Sequence, residues 1–320
     1  MEDSEQFNGR IAVGQHVHCI LYGGKDGVVT EIHGDQAPGS CRALGGGVGV
    51  TGGNAHFDIV WDNGTQSRGI PESLIRCSVQ WHLYPEVAAT AEVAAAIAHL
   101  AIEEARRKTE ADQAAIAFAN RCSELVAKHP ELKLSSSEPD GFKRAVTNMR
   151  VSLKKSFPKV KFSVRQQYYG SVDVRWTDGP TSSQVQKIIG RFQEGHFDGM
   201  EDIYRNEHKP WTEMFGGAKY VSTYRDVSDA ILQIGLDRLY EQLAGNLQGV
   251  QKPDVKDLQG FGSSPQIPDL NMTVNEGVRG IAEVYDATTG QFSYDGYFRY
   301  NWLVDPLIEA QKAEAAEAVA

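Results

Sequence analysis

Hydrophobic and polar positions change rhythm several times along the chain. Between residues 10 and 80 they alternate in short runs, Val17 to Tyr22, Gly27 to His33, Ala55 to Trp61 and Thr65 to Ile70, which predict β-strands. Gly23-Gly24, Gly45-Gly46-Gly47 and Asp62-Asn63-Gly64 supply residues that tolerate positive φ where the chain must turn. Four or five short twisted strands predict a small β-barrel of the SH3 or Tudor kind. From Glu86 to His129 the period lengthens. Val93, Ile97 and Leu100, then Ala111, Ala115, Phe118, Cys122 and Leu125, recur at three- and four-residue steps, with Arg106-Arg107-Lys108 interrupting the stripe. Of these 44 residues 15 are alanine and none is glycine or proline. The segment therefore predicts either one helix of about 66 Å, entered at Pro85 and ended by Pro130, or a helical hairpin turning near Thr109.

A second mixed region follows. Ser135-Ser136-Ser137 with Glu138-Pro139 marks a helix start, and Phe142, Val146, Met149 and Leu153 give that helix an apolar face. Val160, Phe162 and Val164, then Val172, Val174 and Trp176, alternate with polar residues as two strands joined through Tyr168-Tyr169-Gly170. After the turn Asp178-Gly179-Pro180-Thr181 a helix carries Val185, Ile188, Ile189 and Phe192. Lys219 to Tyr224 reads as a third strand and Asp226 to Leu243 as a final helix. The order α-β-β-α-β-α predicts an α+β domain with helices on one face of a small sheet. Residues 246–280 read as an extended arm. Ile281 to Asp286 and Gln291 to Trp302, around Thr288-Thr289-Gly290, read as a C-terminal β-hairpin, and an Ala/Glu-rich helical tail follows. The expected plan is a β module over 1–84, a helical spacer over 85–134, the α+β domain over 135–245 and the arm, hairpin and tail over 246–320.

Composition narrows the class. An apolar share of 41% and a charged share of 23% are those of a globular protein. No apolar run is long enough to span a bilayer, and the first ten residues are polar and acidic, so no membrane partner is expected. Cys19, Cys41, Cys77 and Cys122 form no CxxC pair, which points to reduced thiols and a cytoplasmic setting. Enzyme signatures are missing: no GxSxG or HExxH occurs, no GxGxxG follows a predicted strand, and the glycine-rich segment 43–54 lacks the GK[ST] ending of a phosphate loop. The expectation is a non-enzyme without a cofactor.

Charge changes the picture most. The net charge is −10, yet residues 141–172 carry eight basic residues and no carboxylate. These are Lys143, Arg144, Arg150, Lys154, Lys155, Lys159, Lys161 and Arg165, spread over the predicted helix and first strand. A cationic strip of this kind neutralises phosphates and releases their counterions, and Tyr168 and Tyr169 at the strand end offer rings on which bases stack. The bland alternative is a solvated face that balances the acidic remainder.

The strings FPKVKFSVRQQYYGSVDVRWTDGPTSSQV, GHFDGMEDIY and FGGAKYVSTYRDVS resemble the large-polyvalent-protein-associated domains of phage and conjugative-plasmid proteins. CILYGGKDGVVTEIHGDQ and GGNAHFDIVWDNGT resemble the barrel-like module that accompanies such a domain. The resemblance implies an accessory protein of a mobile genetic element. It transfers no catalytic residue.

Other constellations are weaker. His196, Asp198, Glu201, Asp202 and His208 combine hard oxygen ligands with imidazole, a donor set suited to Mg²⁺ or Mn²⁺, but their spacing fits no ligand signature. Cys19, Cys41 and Cys77 with His16, His18 and His33 lack zinc spacing and read as small buried residues. Tyr22, Phe57 and Trp61 line a binding groove or fill a small core. Two partner readings remain. In one, the basic strip holds nucleic acid. In the other, the protein inhibits a host defence complex by direct contact, its acidic surface imitating a nucleic-acid backbone. The alanine-rich helix is also a candidate homodimer surface.

Overall fold

Alternation builds the first sheet much as expected and then extends it. The computed structural model describes residues 9–258 and 264–317. Strands β1 (Gln15–Cys19), β2 (Lys25–His33), β5 (His56–Trp61), β6 (Gln66–Pro71) and β7 (Trp81–Val87) form one antiparallel sheet in the order β6-β5-β2-β1-β7. Its inner face gives a core of Val17, Cys19, Val29, Phe57, Ile59, Trp61, Trp81 and Leu83. Helix α1 (Glu72–Cys77) adds Ile75 to it. The glycine-rich segment makes a small hairpin, β3 (Arg42–Leu44) with β4 (Gly49–Thr51). The sheet does not close into a barrel: β6 and β7 stand at its two ends and do not pair. Each carries a proline, Pro71 and Pro85, which lacks the N–H a ladder needs and keeps a strand at an edge. Pro85 therefore belongs to β7 and does not start the following helix.

That helix, α2 (Thr90–Lys128), is continuous over 39 residues, about 58 Å, with no turn at Thr109. The chain divides into two compact units within it, after Ala117. In the N-terminal unit Val93 and Leu100 are buried, and Arg107 donates to the carbonyls of Gly64 (2.8 Å) and Asn63 (3.1 Å) in the β5–β6 turn. Gly64 has φ +65°, and a Cβ there would come within 2.5 Å of the Glu103 side chain, so both turn and helix contact require glycine. Arg106-Arg107-Lys108 interrupts the stripe without breaking the helix, because Arg106 pairs with Glu103 and Glu110 along the same surface.

In the second unit, α3 (Gly141–Ser156) starts at Asp140, whose carboxylate accepts from the Lys143 amide at 3.0 Å. Strands β8 (Ser163–Gln166) and β9 (Ser171–Thr177) pair antiparallel. The sheet order is β12-β9-β8, with β12 (Tyr220–Asp226) parallel to β9. Between them the chain forms α4 (Ser182–Ile189), capped by a reciprocal Thr181–Gln184 box, a hairpin of β10 (Gly195–Asp198) and β11 (Ile203–Asn206), and α5 (Pro210–Phe215). Ala145, Val146, Met149 and Leu153 of α3 pack with Val172, Val174, Trp176, Val185, Ile189, Phe192 and Phe215. The predicted α-β-β-α-β-α order is thus present, with hairpin and α5 inserted.

The C-terminal segment departs from the expected arm and hairpin. After α6 (Asp229–Gln242), residues 274–284 form α7 (Val274–Val284), opened by a Thr273–Glu276 capping box. Val274, Val278, Ile281 and Ala282 recur at helical spacing and face Ile231, Leu232, Leu236 and Leu239 of α6. The hairpin shrinks to β13 (Tyr285–Asp286) and β14 (Gln291–Phe292), and residues expected as its second strand lead into α8 (Asn301–Glu317). Arg225 on β12 ties this core to the sheet. Its guanidinium donates to the carbonyls of Asp178, Gly179, Ala282, Glu283 and Tyr285 at 2.7–3.2 Å.

Candidate nucleic-acid interface

Helix α3 and strand β8 set the basic strip. Seven of the eight cations, Lys143, Arg150, Lys154, Lys155, Lys159, Lys161 and Arg165, are exposed. Arg144 is not among them. It is 7% exposed, and its guanidinium donates to the carbonyl of Glu138 at 2.8 Å, so it holds the approach to α3 in place. The reason is helical phase, since Arg144 lies one turn before buried Asn148 and shares its inward side.

Four of the exposed cations rim a groove of about 920 Å³. Its floor is apolar: Val151 and Leu153 from α3, Val160 and Phe162 from the approach to β8, and Val164 from β8 itself. Arg150, Lys154, Lys155 and Lys161 stand around it with one carboxylate, Glu131. Lys155 pairs with Glu131 at 2.9 Å, and that hydrogen bond helps hold the Glu131 carboxyl below the usual glutamate range. Arg150 donates to the Val164 carbonyl at 2.7 Å, and Lys154 to the Pro158 carbonyl at 3.1 Å, which orients both heads while leaving their charge unpaired. A second hollow of about 550 Å³ shares Arg150 and Val164 with the first and adds Lys143 and Arg165. Among the described residues, Lys159, Lys161 and Arg165 have no carboxylate at ion-pair distance. Tyr168 and Tyr169, just past β8, are 85% and 91% exposed, and Tyr169 is held at φ +57°. The apolar floor was not legible as a site, because its residues come from separate elements and each reads as ordinary core spacing.

The acid–histidine set does not converge. His196 faces Glu207 at 2.6 Å, and Arg205 bridges Asp198 and Glu201 across the β10–β11 hairpin. The Arg205 hydrogen bond lowers the Asp198 carboxyl below its ordinary range. Asp202 occupies a turn at φ +53°, and His208 stacks on Phe118 at 4.3 Å beside Glu213. These are surface ion pairs. Among the described residues, the three that bring carboxylate and imidazole atoms together as a group, all within 4.8 Å of one another, are Glu31, His33 and Asp58. The β2–β5 register, which sets Glu31 opposite Asp58, was the signal for that grouping. The His33 ring faces Asp58 at 3.4 Å and Glu31 at 3.9 Å, one nitrogen toward each. All four cysteines are free thiols. Phe57 and Trp61 are core residues, and the Tyr22 side chain lies outside the described residues.

Residues 8–127 match the family model of large polyvalent protein associated domain 30, and residues 141–228 match that of large polyvalent protein associated domain 29. The chain therefore belongs to the large-polyvalent-protein-associated class, carrying two of its domains in tandem. No curated protein and no solved structure matches it. The groove between α3 and β8 is lined, Glu131 apart, by residues of the second matched domain. No helix among the described residues is long and apolar enough to cross a membrane.

Proposed function

We propose that this protein is a non-catalytic accessory of a mobile genetic element that binds nucleic acid through the α3–β8 groove. One observation carries the reading. Seven exposed cations gather on α3, β8 and the segment that joins them in a chain whose net charge is −10, and six of the seven line two hollows with only Glu131 and Glu138 as acidic lining. Such a concentration attracts a polyanion by counterion release, an attraction that reads backbone and not sequence. The domain class supports the mobile-element setting.

Titration of a labelled oligonucleotide at several salt concentrations tests the reading. Contact with about five phosphates gives a slope of log affinity against log salt of roughly −3 to −5. Changing Lys154, Lys155, Lys159 and Lys161 together to Glu should remove binding while leaving the circular dichroism spectrum unchanged, since all four are exposed. Binding that ignores salt, or that survives the quadruple change, refutes the proposal.

A further inference from the structure

The apolar floor is unneeded for holding phosphates, and its presence specifies the ligand. Resting on the reading above, we infer that the groove takes single-stranded nucleic acid, with at least one unpaired base seated on Val151, Val160 and Phe162 while the flanking phosphates meet Arg150, Lys154 and Lys161.

Three observations carry this. First, the lining divides by depth. Leu153 and Val164 are buried at the bottom and Val151, Val160 and Phe162 are partly covered, whereas Arg150, Lys154, Lys155 and Lys161 are exposed at the rim. A ligand matching that division has an anionic edge and a flat apolar body. Second, the volume of about 920 Å³ holds a nucleobase with room to spare. A duplex keeps its bases paired and stacked and presents only its backbone to such a rim, so the floor would stay empty beneath it. Third, the cationic track continues through Arg150 to Arg165 and Lys143 in the second hollow, and the strand ends at exposed Tyr168 and Tyr169. A repeated charge along a line fits a repeating phosphate, and exposed rings fit further bases. An acidic peptide shares the charge but calls for neither the extended track nor the rings.

Fluorescence anisotropy separates the outcomes with four probes: a 12-nucleotide single strand, a hairpin duplex of the same charge, an abasic strand of equal length, and polyglutamate. The wild-type protein should bind the base-bearing strand at least tenfold more tightly than the abasic strand and the duplex. Equal affinity for base-bearing and abasic strands overturns this inference and leaves the polyanion reading standing. Failure of all three nucleic acids to bind at low salt overturns both, and preference for polyglutamate assigns the groove to a protein ligand and overturns both. Val151→Gln places a polar amide on the floor from a partly covered helix position. It should bring the base-bearing and abasic affinities within about threefold of each other while the salt slope is kept. If the preference survives Val151→Gln but vanishes in Tyr168→Ser/Tyr169→Asn, the base sits on the tyrosines and the groove assignment is wrong. The wild-type comparison decides even where a variant fails to fold.

Discussion

Glu72 shows how one side chain can organise a loop-rich module. Its side chain is fully buried at the start of α1, where one oxygen accepts from the amides of Ala37 (2.8 Å), Asn54 (3.2 Å) and Ala55 (3.4 Å). The other accepts from Arg76 at 3.0 Å, and Arg76 donates onward to the carbonyl of Gly9 and the amide oxygen of Gln36. Burial pushes the Glu72 carboxyl up, but the three amides and the guanidinium outweigh it and hold it below the ordinary glutamate value of 4.5. A carboxyl depressed in the folded state contributes stability that is present above its unfolded pKa and lost as pH falls through its folded one. The N-terminal unit should therefore weaken as pH drops below about 4.5. Glu72→Gln removes the charge opposite buried Arg76, and should cost roughly 3 kcal/mol at neutral pH. Thermal melts of both proteins from pH 3 to 7 check this. The variant should show a flatter acid limb, and an unchanged melting temperature at pH 7 would mean that the pair adds nothing.

At the scale of elements, α2 makes the sharpest contrast between cover and exposure. Its ends are held: Val93 and Leu100 are buried in the N-terminal unit, Cys122 and Leu125 in the second. Between them, residues 101–117 are exposed on nearly every side, and Ile102 and Ile116 are 65% and 62% accessible. Phe118 and Leu125, expected to bind a second copy, find partners in their own chain, on His208 and in the α3 core. Amides of 108–117 should therefore exchange with solvent at least tenfold faster than those of 122–126, because that stretch lies beyond the Glu103 and Arg107 contacts with the β5–β6 turn and is exposed throughout. Uniformly slow exchange would show that another surface covers the middle of the helix, and light scattering would then test for a second copy. Elements with a single clear period were legible in sequence: α2, α3, α4, β5 and β9. Those whose residues served two purposes were not. Strand β7 was hidden by Pro85, which reads as a helix start but suits an edge strand equally well. Helix α7 was hidden by Gly277 and Gly280, which read as breakers. Its neighbours explain them, since a Cβ at either place would come within 2.8 Å of Leu239 or Tyr300. The basic strip was visible because charge shows in composition alone. The inward turn of Arg144 and the floor beneath the strip were hidden, because both depend on how α3 meets β8.

For the whole molecule, the largest consequence of the structure concerns where folding information ends. The segment after α6 looks dispensable by composition, yet it supplies Val255, Leu258, Ile267, Met272, Val274, Val278, Ile281, Leu303, Val304 and Leu307 to one core with Ile231, Leu232, Leu236 and Leu239. Fully burying an apolar side chain of this size contributes about 1.5–3 kcal/mol, so the contribution of these ten rivals the whole net stability of an ordinary domain, about 5–15 kcal/mol. A chain ending at Gly245 would also strip Arg225 of the carbonyls of Ala282, Glu283 and Tyr285, leaving its guanidinium with two of its five acceptors. That chain should bind a hydrophobic dye, lose a cooperative melt in its second unit and aggregate at micromolar concentration. A chain ending at Lys312 is the control. It keeps the Gln311 side chain that accepts from the Phe292 amide at 2.8 Å, and among the described residues it removes only exposed ones of α8. Its melting temperature should stay within a few degrees of the full chain, as for surface changes generally. A soluble, cooperatively melting chain ending at Gly245 would mean that the α3–β8 domain stands alone and that α7 and α8 merely rest on it.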